Sequence, residues 1–345
     1  MISVVKFLKL SFLMCSLLLA GCFFKKEQSP EIHSLQGEIF GAYYIVKYRG
    51  DLNPQDFQKD LSKFFDEFNL EFSTYRPDSV VSAFNQAPAN KVIKVSPRFI
   101  EMLKLSQKFY QETEGAFDPT LGPVIKLWGF GGGASKKIPS QVELKKAQAL
   151  TGFDSIKWDE EKRTVWKTKN GLQLDLNAIA PGWVCDLIGE MLILKGIENY
   201  MVDLSGEIYF KGTKGPGNSW VAGIERPTSG AQKNVQLAFK IQDLAISTSG
   251  NYRQFFDANG ERKSHIIDPR TTRPVTHTIS SASVIASTGI ASDIWSTALM
   301  VLGKEGIELA EKNGIKVLLL EAKKENLFNE ILSPSMESFL KSNQL

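Results

Sequence analysis

The sequence predicts an α+β fold, a single compact mixed domain rather than a doubly wound sheet. Three observations carry that expectation. Strand-like and helix-like runs interleave without the regular βαβ rhythm of a parallel sheet. From about Leu35 onward there is no long low-complexity break and no internal repeat. The composition, 43% hydrophobic and 23% charged over 345 residues, is that of a globular protein with apolar side chains enough for a large core.

The chain opens on a segment outside that domain. Lys6 and Lys9 accompany a short apolar run, Leu10 to Leu19, too brief for a comfortable bilayer span. Leu19-Ala20-Gly21-Cys22 follows and has the form of a bacterial lipobox, in which Cys22 is acylated and becomes the first residue of the processed chain. The expected organisation is a signal peptide over residues 1–21, a lipidated cysteine and polar tether over 22–34, and the folded domain over 35–345. No other apolar run reaches about 18 residues, so acyl chains would be the membrane anchor. Cys15 leaves with the signal and Cys22 carries lipid. Cys185 then stands alone, which excludes an intramolecular disulfide, and its apolar neighbours at helical spacing place it in the core.

Within the domain, Gly41 to Tyr48 is aromatic and β-branched and reads as a strand. Pro54 opens a helix that places Phe57, Leu61, Phe64, Phe65 and Phe68 on one face. Ser96 and Pro97 form an N-cap and first turn, with Ile100, Leu103 and Tyr110 in the helix beyond. Gly129 to Gly133 reads as a glycine-rich loop and Leu172 to Leu176 as a strand. Pro181 begins a helix ending near Gly196. Short strands are expected at Tyr200–Leu204, Ile208–Lys211, Trp220–Ile224 and Val235–Ile241. Helices over Ile290–Leu302 and Lys304–Lys312 and a strand at Ile315–Leu320 complete the reading.

Charge excludes one broad class. With 41 basic and 38 acidic residues, two of the basic ones in the leader, the chain lacks the field of a general nucleic-acid binder. No P-loop, dinucleotide fingerprint or paired-cysteine zinc motif occurs.

Four segments are rich in residues a packed core does not need. Gly115 to Pro123, followed by Leu127 to Gly131, fixes the backbone with glycines and prolines around Asp118 and Thr120, and Trp128 and Phe130 could offer faces to a flat ring. On composition alone, an ordinary structured turn with Asp118 as a cap is the favoured reading. Asp175 to Trp183 passes from a strand end into a helix start, where free N–H groups suit phosphate oxygens and loop carbonyls could reach a metal. A plain strand–helix connection is the alternative. Ser247 to Tyr252 and Ser264 to Thr271 bring His265 and Asp268 three residues apart, an imidazole near a carboxylate and so a candidate general base, with a structural histidine as the equal alternative. In Ala291 to Thr297, Asp293 and Thr297 share a helix face and offer hard oxygen ligands suited to Mg²⁺.

In this order, these segments resemble the ApbE family of FAD:protein FMN transferases. The resemblance runs from about Gly37 to Gly314 and takes in STYRPDS at Ser73 to Ser79, GAFDPTLGP…LWGFG, DLNAIA…D, TSGNY, SHIIDPRTTRP and ASDIWSTAL. It implies transfer of FMN from FAD, with AMP released, to a Thr or Ser of a partner such as a subunit of a respiratory NADH:quinone reductase or related redox complex. It implies a divalent metal, Mg²⁺ or Mn²⁺, held by Asp293, Thr297 and the Ala178 carbonyl. Phe40, Tyr75, Ala116, Phe117, Asp118, Asp175, Pro181, Ile267 and Ser296 fall on FAD-contacting positions, and His265 on the histidine expected to activate the acceptor. It also implies a periplasmic protein held by lipid, with the inner membrane favoured. A metal-dependent FAD pyrophosphatase and a flavin-binding lipoprotein without turnover are the competing readings. Two positions depart from the family pattern: Pro181, where members often carry Lys and some Glu, and Thr272, where Gly is usual.

Overall fold

A hairpin begins the folded chain. β1 (Ile32–Ile39) and β2 (Ala42–Arg49) pair antiparallel across a turn at Phe40 and Gly41, both with positive φ, 57° and 72°. Two such residues match the right-handed twist of the flanking strands. The strand starts at Ile32, inside the span expected to be tether, and His33 sits opposite Tyr48 with ring centroids 5.2 Å apart. A computed structural model describes residues 31–130, 137–227, 235–251, 255–258, 261–324 and 327–345. The leader, Cys22, nearly all of the tether, Gly131 to Gly133 and Tyr252 lie outside these. Among the described residues no helix is long and apolar enough to cross a membrane.

The first helix, α1 (Pro54–Phe72), starts where the Asn53 side chain accepts from the N–H groups of Gln55 and Asp56, and it buries the whole phenylalanine face. α2 (Val80–Gln86) and β3 (Ile93–Lys94) precede α3 (Pro97–Glu112), whose Ser96 cap accepts from Phe99 N–H at 3.0 Å. α4 (Gly122–Leu127) and α5 (Gln141–Gln148) lead to β4 (Ile156–Asp159) and β5 (Thr164–Lys167), which join β3 in a small sheet of order β3-β5-β4. α6 (Ala180–Leu194) ends at Gly196, whose φ of 79° suits a helix stop.

There follow β6 (Asn199–Leu204), β7 (Glu207–Lys211), β8 (Trp220–Glu225), β9 (Val235–Ile241), β10 (Leu244–Gly250), β11 (Phe255–Ala258) and β12 (Glu261–Ser264). β13 (Ile267–Asp268), β14 (Arg273–Pro274), β15 (Ile279–Ala286), α7 (Gly289–Leu302), α8 (Gly306–Lys312), β16 (Lys316–Lys324), β17 (Leu327–Leu332) and α9 (Pro334–Ser342) complete the order. The helix expected over Lys304–Lys312 is a 3₁₀ turn at Gly303–Glu305 followed by the shorter α8.

Eight strands form one antiparallel sheet in the order β1-β2-β6-β7-β10-β15-β16-β17. Successive side chains on a strand point to opposite faces. Val317 and Leu319 therefore join the larger core with α1, α3, α6 and α7, whereas Leu318 and Leu320 join a second core with Trp220, Phe239 and Met336. The sheet is covered on both faces, by helices on one side and by the β8–β9 hairpin and α9 on the other. β15 is buried at every position for that reason.

Leu172 to Leu176 is not a strand. Its backbone bonds go to side chains instead: Asn85 accepts from Leu174 N–H at 2.7 Å and donates to Leu174 O at 2.9 Å, and Lys167 Nζ donates to Leu172 O at 2.7 Å. Asp175 N–H donates to Pro119 O at 2.7 Å. These bonds satisfy an extended segment without a sheet partner.

Candidate functional site

The core helices meet where glycine lets backbones touch. A Cβ on Gly182 of α6 would lie 2.4 Å from Gly289 O of α7, and one on Gly289 would lie 2.4 Å from Gly182 O. Asp186, one turn further along α6, accepts from Gly289 N–H at 2.6 Å and Ile290 N–H at 2.9 Å and so caps α7. Burial pushes its carboxyl up to about 7, against the pull of those two N–H groups. Asp186 falls at the end of the DLNAIA…D motif, which by itself assigns it no role. Its signal is a carboxylate within the apolar first half of a helix whose other acidic residue is Glu190.

Through this crossing α7 presents Asp293. Its side chain is 6% exposed, and Oδ2 accepts from Gly182 N–H at 2.9 Å, the one hydrogen bond to that carboxylate found among the described residues. Burial first, then the negative field of Glu207, hold its pKa well above the usual carboxylate range. A buried carboxylate in that field is stable as an anion only beside a cation. One turn on, Thr297 turns its hydroxyl toward Ser249 of β10, 3.2 Å away.

A cavity of about 960 Å³ opens beside this pair, at the upper end of the ~300–1,000 Å³ usual for small-ligand sites. It draws its walls from the β1–β2 turn, the end of α1, the Ala116–Gly122 loop, the Asp175–Pro181 connection, β10, the His265–Ile267 segment and α7. Phe40, Tyr75, Ala116, Phe117, Asp118, Asp175, Ala178, Pro181, His265, Ile267 and Thr297 all line it. Of the residues designated from sequence, Asp293 and Ser296 stand behind the wall. Ser296 is 1% exposed, and its hydroxyl is spent on Asp293 O and Ser249.

Electrostatically the cavity is unusual for a phosphate site. No Lys or Arg occurs among the described residues that line it. Burial raises the carboxyls of Asp118 and Asp175, although Thr120 and Asn177 respectively donate to them. The start of α6, expected to offer free N–H groups, has little left to give. Ile179 and Ala180 N–H both donate to Leu176 O, Pro181 has none, and Gly182 N–H is held by Asp293.

Two further expectations change and one holds. Trp128 is 2% exposed and off the cavity, its indole N–H donating to Thr272 O at 2.9 Å, so it shapes the wall rather than a ring platform. Phe130 does line the cavity, edge-on to the His265 ring at 6.2 Å. Asp268 gives both carboxylate oxygens to Arg270, at 2.9 Å each, and is not the partner of His265. Thr272 has φ of 59°, a conformation glycine adopts freely, which explains the residue usual at this position in the family it resembles.

The donor set fits a hard cation. Among the described residues no group of three or more His, Cys, Asp or Glu could hold a metal. One buried carboxylate with neutral hydroxyl and carbonyl oxygens is the sparse set that Mg²⁺ accepts, its remaining positions filled by water and substrate phosphate.

Fold and site thus define a ligand-binding α+β protein with a large cavity and a buried carboxylate behind its oxygen-lined wall. The chain belongs to the ApbE family, whose model matches residues 40–319. It is 38% identical over 329 residues to the FAD:protein FMN transferase of Vibrio cholerae serotype O1, covering 94% of this chain and 96% of that one. Identity to the Escherichia coli K12 protein of the same description is 30%, over 98% and 99% of the two chains. The solved flavin transferase ApbE of Vibrio cholerae superposes with a TM-score of 0.80 at 35% identity, covering 90% of this chain and 99% of that one. The apo flavinyl transferase ApbE of Pseudomonas stutzeri gives 0.82 at 31% identity, covering 90% and 97%.

Proposed function

We propose that this protein transfers FMN from FAD to a Thr or Ser hydroxyl of a partner protein. The observation that carries the reading is the cavity's charge: a large pocket without Lys or Arg among the described residues that line it, set against the buried carboxylate of Asp293. A cation would stabilise a pyrophosphate in such a site. Asp293, the Thr297 hydroxyl and the Ala178 carbonyl would hold Mg²⁺ or Mn²⁺, which when bound neutralises the pyrophosphate and aligns the phosphoryl group.

The chain's own residues do the rest. Phe40, Phe117 and Phe130 line the cavity and offer apolar faces to the flavin, and Tyr75, 76% exposed, stands at its mouth. His265 lines the same cavity and takes the acceptor's hydroxyl proton. The acceptor oxygen bonds to the FMN phosphorus, the bond from that phosphorus to the bridging oxygen breaks, and AMP leaves with that oxygen. We place the mature protein in the periplasm, anchored to the inner membrane through acylated Cys22, beside acceptor subunits of respiratory redox complexes. The Leu19-Ala20-Gly21-Cys22 motif and the family resemblance support that placement.

The test is kinetic. His265→Ala should lower the rate of FMN transfer by about 10²–10⁴-fold while FAD affinity changes little. Asp293→Ala should abolish metal-dependent turnover. Equal losses of rate and affinity in His265→Ala, or near wild-type turnover in Asp293→Ala, would overturn these roles.

A further inference from the structure

Hydroxyl groups in the seam between α7 and β10 form a chain whose direction is set by counting hydrogens. Ser296 Oγ lies 2.8 Å from Asp293 O, and a carbonyl only accepts, so the single hydrogen of Ser296 is committed there. Ser249 Oγ lies 2.8 Å from Ser296 Oγ and must therefore donate to it. Thr297 Oγ1, 3.2 Å from Ser249 Oγ, then has to donate to Ser249, whose hydrogen is already used. The sequence of donation runs from Thr297 to Ser249 to Ser296 to the Asp293 carbonyl. One turn earlier the same grammar recurs: Ser292 Oγ donates to Gly289 O at 2.9 Å, which makes Ser247 the donor in its 2.8 Å contact with Ser292.

We propose that Ser249 is a positioning residue for the divalent cation. It takes the only hydrogen of the Thr297 hydroxyl and so turns that oxygen's lone pairs toward the cavity, which both residues line. A threonine hydroxyl without such an acceptor can rotate and point its hydrogen into the site or back to the helix carbonyl one turn earlier. In either orientation it stops serving as a ligand. The proposal rests on the reading that Asp293, Thr297 and Ala178 hold the cation. It adds why the threonine acts as an acceptor and names a residue that had no role. Partners behind metal ligands commonly contribute tenfold or more to affinity.

The experiment is a calorimetric titration of the purified protein with Mn²⁺ in the absence of FAD, for wild type, Ser249→Ala, Ser249→Thr and Asp293→Ala. Ser249→Ala should weaken Mn²⁺ binding by about 10–100-fold. Ser249→Thr restores the hydroxyl, on a strand that tolerates β-branching, and should bind within about threefold of wild type. Asp293→Ala should not bind. Wild-type affinity in Ser249→Ala with binding lost in Asp293→Ala would overturn the role of Ser249 and leave the cation site standing. Equal weakening in Ser249→Ala and Ser249→Thr would also overturn it, by making packing rather than the hydroxyl responsible. Wild-type affinity in Asp293→Ala would instead overturn the cation site on which the proposal rests.

Discussion

Gly182→Ala places one methyl group at the point where α6 crosses α7. The new Cβ would sit 2.4 Å from Gly289 O, 2.6 Å from Asp293 Cβ and 2.8 Å from Gly289 C. Ordinary contact begins near about 3.4 Å, so the helices must part by about 1 Å. None of these atoms is the free end of a side chain, and both helices are buried there. Overpacking of this kind costs about 1–3 kcal/mol, partly offset by the better helix propensity of alanine, about 1 kcal/mol. A net loss of about 1 kcal/mol should lower Tm by about 1–2 °C in a domain of this size. The same displacement stretches the bond from Gly182 N–H to Asp293, 2.9 Å in the native protein, past the hydrogen-bonding range. It also draws Ala178 and Pro181 away from Thr297, so Mn²⁺ affinity measured by calorimetry should fall at least about tenfold. Gly189→Ala is the control. It lies on the same helix, and its Cβ would meet Tyr200 Oη at 2.6 Å, on the side facing β6. That variant should lose stability and keep Mn²⁺ affinity. Wild-type Mn²⁺ affinity in Gly182→Ala, or equal losses in the two variants, would refute the idea that this crossing sets the site.

Other variants address the supports of the cavity. Lys167→Met removes the donor to Asn85 O and Leu172 O and leaves two carbonyls unpaired, at about 1–3 kcal/mol each. Denaturant unfolding should show the loss, and FAD affinity should drop because the freed segment carries Asp175. Asp186 gives a pH dependence. Its folded pKa, about 7, exceeds the ordinary 3.8, so the folded state holds the extra proton between those values. The stability tied to that proton is complete below about pH 4 and lost as pH rises through 7, and Asp186→Asn should flatten this part of a Tm–pH profile. Pro181→Lys places a cation in a cavity with no Lys or Arg among its described lining residues, and fluorescence titration should show FAD bound roughly three- to tenfold more tightly.

Much of the helical framework was legible because caps and apolar spacing are local signals. Pro54, and Ser96 with Pro97, mark helix starts that the structure places at the same residues. β15 was not legible: Ile279 to Ala286 is buried on both faces and mixes serine with alanine, so it shows no alternation. Leu172 to Leu176 failed in the opposite sense. Its apolar alternation is real, but Asn85 and Lys167, distant in sequence, take the bonds a sheet neighbour would have made. The cavity walls were legible as motifs, while the direction of their polar groups was not. Only the fold shows that Asp268 is spent on Arg270, that Trp128 faces Thr272, and that the α6 start has given its N–H groups away.

The most direct test of the account is the intact mass of an acceptor protein carrying a flavinylation-motif threonine, incubated with this protein, FAD and Mg²⁺. A mass gain equal to FMN, with AMP released and both abolished by EDTA, is the predicted result. AMP and free FMN without any acceptor gain would make water the acceptor and the protein a pyrophosphatase, and tight FAD binding with no AMP would contradict the account altogether.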